Sequence, residues 1–155
     1  MDFDGCFDGA FDGAKVALFL GDQLVIMRRD DDPRIPWPGF LDFPGGGREG
    51  AETPFQTVAR ETREELGLHL PEEAVLWRTC DRHAERDVLL WFFVARLPAD
   101  SVANIVFGDE GQYWRLAEVN DVLALPDVAG QLQRRLANWL AGEAACDVAP
   151  VAALR

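Results

Sequence analysis

Short apolar runs, divided by polar turns and by glycine- or proline-rich stretches, recur through most of the chain and are typical of β-strands. The first two runs are separated only by Gly21-Asp22-Gln23, which favours a β-hairpin. A later run, residues 88–94, is apolar at every position and therefore predicts a strand that is buried on both faces. Strands are predicted at residues 15–20, 24–28, 40–43, 74–80, 87–96, 104–107 and 113–116.

Two segments have apolar residues at helical spacing instead. The first lies between Thr53, a suitable N-cap followed by Pro54, and Gly67, a suitable end. The second covers residues 128–140, where every fourth residue from 132 is leucine. Because strands lie on both sides of the first helix in the chain, the order predicts an α/β (α+β) fold with a mixed sheet between helices.

Composition limits the partners that the protein can have. The 155-residue chain carries 27 acidic and 15 basic residues, a formal net charge of −12. This charge disfavours duplex nucleic acid, whose phosphates need a basic surface, but it is compatible with a small anionic substrate that arrives with a metal ion. The three cysteines are widely spaced, no apolar run is long enough to span a bilayer, and the N-terminus is acidic. We therefore expect a cytoplasmic protein that does not bind membranes.

One predicted helix concentrates carboxylates. Glu61, Glu64 and Glu65 are spaced i, i+3 and i+4, so they share a face beside the apolar stripe. A hard divalent cation, which prefers oxygen ligands, would relieve their mutual repulsion. The alternative is an acidic surface helix in contact with solvent, which is the usual explanation of a charge run.

This stretch resembles the Nudix box, G-x5-E-x7-R-E-U-x-E-E-x-G-U, in which U is a bulky apolar residue. The chain departs from the pattern only at Thr62 and matches it in register at Gly46, Glu52, Arg60, Glu61, Glu64, Glu65, Gly67 and Leu68. Eight fixed positions are a specific signal. The resemblance implies a Nudix-type α/β/α sandwich with a mixed central β-sheet, and a phosphohydrolase that uses Mg²⁺, with Mn²⁺ as a second candidate.

The resemblance also implies roles for the residues of the box. The metal ligands would be Glu61, Glu64 and Glu65, together with a backbone carbonyl of Gly46 or Gly45. The glutamate that activates water differs among family members, and Glu61 is the first choice on this helix. Positioning roles are expected for Arg60, which would orient the carboxylates, and for Glu52 and Gly67, which would shape the two ends of the helix.

A second motif, residues 108–114, resembles the loop before the last strand in MutT-like members of the family. In those proteins a glutamate before Gly-Gln supplies another metal ligand or a candidate base, and Glu110 matches it. The motif is short, so a simple polar turn explains it equally well.

Substrate recognition is expected to use aromatic and hydrogen-bonding side chains that line a cleft. The candidates are Arg28, Trp37, Phe40, Trp91 and Phe93, with Trp114 as a further aromatic residue. Trp91 and Phe93 share one face of their strand by alternation. The alternative for each aromatic residue is a place in the core, and for the arginine a place in solvent.

Three regions are predicted: an N-terminal Phe-Asp-Gly extension over residues 1–13, a Nudix domain over 14–142 and a C-terminal tail over 143–155. The expected reaction is metal-dependent cleavage of a pyrophosphate bond in a nucleoside diphosphate-linked substrate. A (d)NTP or an oxidised nucleotide that yields a monophosphate is among the candidates. The alternative is a catalytically silent Nudix module that senses nucleotides or binds a partner. A homodimer is a further expectation, with the N-terminal extension as a candidate interface.

Overall fold

A computed structural model describes residues 11–82 and 89–145. We number the elements in chain order. The strands are β1 (Gly13–Leu20), β2 (Gln23–Arg28), β3 (Leu41–Asp42), β4 (Gly45–Gly47), β5 (Val75–Arg82), β6 (Leu89–Leu97) and β7 (Tyr113–Glu118). The α-helices are α1 (Pro54–Leu66), α2 (Val119–Ala124) and α3 (Leu132–Leu140), and 3-10 turns cover Glu72–Ala74 and Ala99–Asn104.

The sheet is mixed, and its centre is split by a glycine-rich segment. β1 runs parallel to β6 along its whole length, and β2 runs antiparallel to β7. β1 and β2 pair with each other only next to their turn. Beyond that point β3 takes the free edge of β2 and β4 takes the free edge of β1. The segment that leads into the acidic helix is therefore held inside the sheet, between two diverging strands.

Helices cover both faces of this sheet. Val58 and Leu66 of α1 pack with alternate residues of the central strands, such as Val16 and Phe93. On the opposite face, Val122 of α2 and Leu132 and Leu136 of α3 pack with the intervening residues, such as Phe92. The alternation follows from the two-residue period of a strand. The predicted α/β/α sandwich with a mixed sheet is confirmed.

The ends of α1 follow the local sequence. Thr53 accepts a hydrogen bond from the backbone N–H of Gln56, and the Gln56 side chain accepts one from the backbone N–H of Thr53, which completes a capping box. Gly67 ends the helix at a φ of 68°, in the left-handed region that favours glycine. Thr62 is fully buried, and its hydroxyl donates to the carbonyl of Val58 at 2.7 Å. A polar residue therefore fits the apolar position of the box because its one donor is satisfied within the helix.

Several local predictions differ from the structure. Residues 104–107 are not a strand: a 3-10 turn ends at Asn104, and the backbone N–H of Val106 then caps the end of α1 by donating to the carbonyl of Leu66. The last helix begins at Leu132 instead of residue 128, because Val128 bridges to Leu41 of β3. Helix α2 was not predicted.

The predicted N-terminal extension and the cysteines also differ from what the sequence predicts. Phe11 is buried in the core and Gly13 opens β1, so the last Phe-Asp-Gly unit belongs to the folded domain. The first two units lie outside the described residues. Cys80 is disulfide-bonded, which is unusual for the cytoplasmic protein that the sequence predicts, and Cys6 and Cys146 lie outside the described residues. Over residues 11–82 and 89–145, no helix has the length and apolar character needed to cross a membrane.

Candidate active site

Glu61 lies against the glycine-rich segment. A Cβ atom added to Gly46 would be 2.5 Å from a carboxylate oxygen of Glu61, so only glycine lets this side chain approach the backbone so closely. The Gly45 carbonyl is occupied, because it accepts a hydrogen bond from the Lys15 ammonium at 3.1 Å. Of the two glycines whose carbonyls are candidate metal ligands, Gly45 accepts a hydrogen bond from Lys15, and Gly46 lies against Glu61.

Glu65 lies one helical turn after Glu61 and turns toward the same backbone. Its Oε1 accepts a hydrogen bond from the Gly45 N–H at 3.0 Å. Burial raises the pKa of Glu65 to about 8, and the negative charges of Glu61 and Asp42 act in the same direction. Burial also raises the pKa of Glu61, against the opposing effect of Arg60. The two carboxyl groups share a hydrogen bond, so burial and mutual repulsion oppose ionisation of both groups at once.

Arg60 organises the other side of the helix. Its Nε donates to Glu52 at 2.7 Å and its Nη2 donates to the carbonyl of Gly47 at 2.8 Å. Glu52 also accepts from the backbone N–H of Glu49 and from the Thr57 hydroxyl. The Arg60 hydrogen bond is the largest cause that lowers the pKa of Glu52 to about 2. This network ties the loop, strand β4 and helix α1 together.

Glu64 is placed differently from the other two glutamates of the helix. Its side chain is 56% exposed and accepts from Arg60 Nη1 at 3.1 Å. Within the described residues no group of three His, Cys, Asp or Glu side chains is assembled for a metal ion. The pair formed by Glu61 and Glu65 still suits Mg²⁺, which is commonly held by one or two carboxylates and completes its shell with water and substrate phosphate.

Glu110 reaches this region through the loop that caps α1. The backbone N–H of Gly108 donates to the carbonyl of Glu65, and a Cβ atom on Gly108 would be 2.4 Å from the carbonyl of Glu64. The loop continues to Gly111, whose N–H donates to Asp30. The acidic cavity, about 320 Å³, is bordered by Glu65 and Glu110 and further by Asp30, Asp32, Asp42, Arg28 and Arg29. The structure therefore brings the two sequence motifs to one cavity.

A buried ion cluster lies next to these carboxylates. Asp42 is almost fully buried and accepts hydrogen bonds from Lys15 and from Arg29, both at 2.8 Å. Despite its burial, the two cations hold the pKa of Asp42 below its usual value. Lys15 and Asp42 were not among the predicted site residues. The available signal was a charged residue inside a predicted strand, which is unusual unless the charge is paired.

A second cavity, about 330 Å³, lies on the opposite face of the sheet beside the start of α3. We call it the α3 cavity. Arg29 and Asp42 border both cavities. The border of the α3 cavity also includes Lys15, Gly46, Trp37 and Arg135. Gly46 therefore connects the carboxylate pair to an open space that is large enough for part of a small ligand.

Trp37 borders the α3 cavity in an unusual conformation. It has a φ of 54°, a left-handed value that is rare for a bulky residue, and its side chain is 48% exposed. Its ring meets Phe40 edge-on at 5.1 Å between centroids. The loop that carries Trp37 is held in place because Arg29 donates a hydrogen bond to the carbonyl of Pro36 at 2.9 Å. A strained, exposed tryptophan at a cavity is a candidate for ligand contact.

The other predicted substrate residues are dispersed. Phe93 is fully buried between the sheet and α1, where it meets Phe55, and it borders neither cavity. Trp91 borders the α3 cavity, although its ring stacks on Phe93 in the core. Phe40 supports Trp37 instead of lining a cavity. Arg28 borders the acidic cavity, where Nη1 donates to Asp127 at 2.7 Å and Nε donates to the Tyr113 hydroxyl.

Known proteins resemble this chain in sequence and in fold. An 8-oxo-dGTP diphosphatase of Escherichia coli (strain K12) is 35% identical over 74 residues, 47% of this chain and 55% of that protein. One of Proteus vulgaris is 38% identical over 56 residues, 36% of this chain and 50% of that protein. The matched stretches thus span about half the length of these curated relatives.

Among solved structures, a MutT protein from Methanosarcina mazei Go1 has a TM-score of 0.64 at 18% identity, over 79% of this chain and 86% of that chain. A C. elegans Ap4A hydrolase complex has a TM-score of 0.62 at 21% identity, over 84% and 98%. At this identity the structures show a shared fold. The family model described as NUDIX domain matches residues 11–140, which is most of the chain. The protein therefore belongs to the NUDIX domain family.

Proposed function

We propose that this protein is a Mg²⁺-dependent hydrolase that cleaves a pyrophosphate bond in a nucleoside diphosphate-linked substrate. The observation that carries the proposal is the pair Glu61 and Glu65, two hydrogen-bonded carboxyl groups with raised pKa values, which lie against the adjacent glycines Gly46 and Gly45. Two neighbouring carboxyl groups that oppose each other's ionisation in a shielded corner favour a cation, which would stabilise the charged form of both groups. A bound Mg²⁺ would polarise the phosphoryl oxygens and lower the pKa of the attacking water.

The protein side chains would divide the remaining work. Glu61 and Glu65 would hold the ion, and Glu110 is a further carboxylate that borders the acidic cavity beside Glu65. Glu64 is exposed and paired with Arg60. Arg60 fixes the helix relative to the glycine segment through Glu52 and the Gly47 carbonyl. This fixed backbone positions the pair before substrate arrives, and positioning of this kind accounts for much of phosphoryl-transfer catalysis.

The two cavities suggest how a nucleotide would lie. The phosphates would face the acidic cavity with its metal, and the nucleoside would enter the α3 cavity past Gly46. Lys15 and Arg29 border the passage, although Asp42 already neutralises part of their charge. The names of the curated relatives support a deoxynucleoside triphosphate as substrate. The proposed products are the nucleoside monophosphate and pyrophosphate.

The test is a hydrolysis screen with Mg²⁺ or Mn²⁺, with and without added inorganic pyrophosphatase. The panel contains ordinary and oxidised (d)NTPs, ADP-ribose, nucleotide sugars and dinucleoside polyphosphates. Turnover of a (d)NTP should release phosphate only when pyrophosphatase is present. Reaction in ¹⁸O-labelled water then shows which phosphorus is attacked, because the label enters that product.

Variants connect the activity to the carboxylate pair. Glu61→Gln and Glu65→Gln should each lower kcat by about 100-fold or more, because each removes a charged metal ligand. Glu64→Gln should have a smaller effect, because Glu64 is exposed and paired with Arg60. Glu73→Gln, an exposed glutamate outside the site, is the control. Wild-type turnover in Glu61→Gln and Glu65→Gln would overturn the proposal, as would nucleotide binding without any turnover by the native protein.

A further inference from the structure

Arg135 is a charged residue of the α3 cavity that the proposed chemistry does not use. Its side chain is only 8% exposed, and its Nε donates to Asp81 Oδ2 at 2.7 Å. In the part of the chain that the structure describes, neither Nη1 nor Nη2 has a hydrogen-bond acceptor. A guanidinium carries five N–H donors and stays protonated. Buried donors without acceptors are costly, so these donors, at a cavity, suit a ligand that supplies acceptors.

The sheet register places Arg135 relative to the carboxylate pair. Asp81 of β5 is paired with Leu90 of β6, Leu90 with Gly13 of β1, and Gly13 with Gly47 of β4. These four residues form one row across the sheet, so Asp81 lies three strand spacings, roughly 14 Å, from Gly47. Arg135 is held at the Asp81 end, and Gly46 adjoins Glu61 at the other end. If the reacting phosphate lies beside Gly46, the far end of the same nucleotide, its base, points toward Arg135.

The surroundings of Arg135 favour a neutral acceptor over an anion. Asp81 offsets the charge of the guanidinium, which weakens its attraction for a second negative group. Nearby, the border of the cavity is apolar at Leu90, Ala129 and Leu132. A phosphate would lose much of its hydration there with little compensation, whereas keto oxygens and ring nitrogens of a base lose less. The two Nη groups are also arranged as a fork, which fits two adjacent acceptors.

We propose that Arg135 is a specificity-determining residue that reads the base, and that it favours bases with two adjacent hydrogen-bond acceptors on one edge. This inference rests on the proposed function, since it assumes a nucleotide in the α3 cavity. Guanine meets the requirement with O6 and N7, a pair that arginine binds in bidentate fashion. Cytosine meets it with O2 and N3. Adenine and thymine do not offer two adjacent acceptors, because N1 and N7 of adenine lie next to the N6 amino group and both oxygens of thymine lie next to N3–H. 8-Oxoguanine carries a hydrogen on N7.

The direct test measures binding separately from hydrolysis. Calorimetry with the monophosphates dGMP, dCMP, dAMP, TMP and 8-oxo-dGMP gives the base preference of the native protein. The kcat/KM values of the corresponding triphosphates give the same preference in turnover. We expect dGMP, dCMP or both to bind about 10- to 100-fold more tightly than dAMP and TMP, as a bidentate contact provides. 8-Oxo-dGMP should bind like dAMP, and the comparison of dGMP with dCMP identifies which acceptor pair is read.

Matched variants separate recognition from folding. Arg135→Met should remove the base preference while kcat stays near the native value, and Arg135→Lys, which lacks the fork, should not restore it. Arg134→Met is the control. Arg134 precedes Arg135 on α3, is 55% exposed and lies 3.9 Å from the same Asp81 carboxylate. Unlike Arg135, it does not border the α3 cavity. If loss of the ion pair prevents folding of Arg135→Met, the double variant with Asp81→Asn removes both charges together.

The outcomes distinguish this inference from the proposed function. Hydrolysis with equal kcat/KM for all four bases, unchanged in Arg135→Met, would overturn the role of Arg135 and leave the hydrolase intact. A base preference in binding that Arg135→Met abolishes, without turnover of any nucleotide, would support Arg135 and overturn the hydrolase. Tightest binding of 8-oxo-dGMP would contradict the proposed acceptor pair.

Discussion

The carboxylate region and the α3 cavity are built in opposite ways. The first comes from one continuous segment, residues 46–67, in which a capped helix, a glycine turn and an internal ion network support one another. The second is assembled from the 30–39 loop, strands β1, β4 and β6 and the start of α3. In the first, nearly every polar group has a protein partner, whereas the second presents a strained tryptophan and an arginine with unused donors.

This difference indicates which region carries the reaction chemistry and which region carries the substrate specificity. A reaction centre that needs fixed geometry benefits from short-range contacts within one segment, because few independent parts can shift. A recognition site benefits from side chains on separate elements, because each can change without disturbing the helix. We therefore expect damage to the first region to affect turnover most, and damage to the second to affect substrate choice.

Apart from the carboxylate pair itself, the largest effect is expected from Gly46→Ala. The new Cβ would lie 2.5 Å from the Glu61 carboxylate, and the flexible glutamate, not the backbone, would move. Because misplacement of a catalytic group by about 1 Å costs on the order of 100-fold in rate, kcat/KM should fall by about that factor with little change in the free energy of unfolding. Steady-state kinetics and urea denaturation measure the two quantities.

Gly50→Ala is the control for Gly46→Ala, because it should change stability and leave activity unchanged. Gly50 has a φ of 56° and nothing within 4 Å of an added Cβ, so the substitution strains the backbone without a collision. It should lower the free energy of unfolding by about 1 kcal/mol and leave kcat/KM unchanged. If Gly46→Ala retained full activity, Glu61 would not need its position at the glycine segment.

Glu52→Gln should weaken the ion network in a pH-dependent way. The Arg60 hydrogen bond holds the pKa of Glu52 at about 2, below the usual value of about 4.3. The charged carboxylate therefore stabilises the fold fully at pH values above that usual pKa. This contribution is lost as the pH falls from about 4.5 toward 2. The variant should be less stable than the native protein by about 2–3 kcal/mol at pH 7, and the difference should shrink toward zero near pH 2.

Urea denaturation at several pH values measures that difference. Glu49→Gln is its control, because Glu49 is mostly exposed and only approaches Arg60 to 3.4 Å, so its effect should stay within about 0.5 kcal/mol. A stability difference for Glu52→Gln that does not change with pH would show that the Glu52 charge is not the source of the stabilisation.

Trp37→Gly tests the recognition region. The substitution removes an aromatic wall of the α3 cavity and also relieves a left-handed φ, so we expect the free energy of unfolding to stay within about 1 kcal/mol of native. KM should rise by about 5- to 150-fold while kcat is retained, because ring contact with a base is worth roughly 1–3 kcal/mol. Trp37→Phe should keep part of the native affinity. A fall in kcat at constant KM would place Trp37 with the reaction centre instead.

The smallest effect is expected from Thr62→Val, at the one position that departs from the box. The buried hydroxyl donates only to the Val58 carbonyl, which also lies within the helical hydrogen-bond ladder, and valine has the same shape. The change in the free energy of unfolding should stay within about 1 kcal/mol, and activity should be native. Thr62→Ser, which removes a buried methyl group, should destabilise the protein more. A large loss in Thr62→Val would reveal a role of the hydroxyl beyond this bond.

Local sequence was a good guide wherever a structure is formed by neighbours in the chain. The N-cap at Thr53, the end at Gly67 and the hairpin at Gly21-Asp22-Gln23 were all predicted from residue type and spacing. The failure at residues 104–107 has a tertiary cause: the backbone N–H of Val106 caps α1 instead of joining the sheet. The start of α3 was wrong for a similar reason, since Val128 pairs with Leu41 in β3.

Sequence by itself determined the fold class and the carboxylate helix, because helical period and glycine position are properties of one short segment. It could not determine that Glu61 meets Gly46 and Glu65 meets Gly45 while Glu64 stays exposed, which depends on how β4 is held between β1 and β2. It also could not bring Arg135 to a cavity that borders Gly46, more than eighty residues earlier in the chain. Those contacts depend on strand register and on packing across the sheet, where distant segments meet.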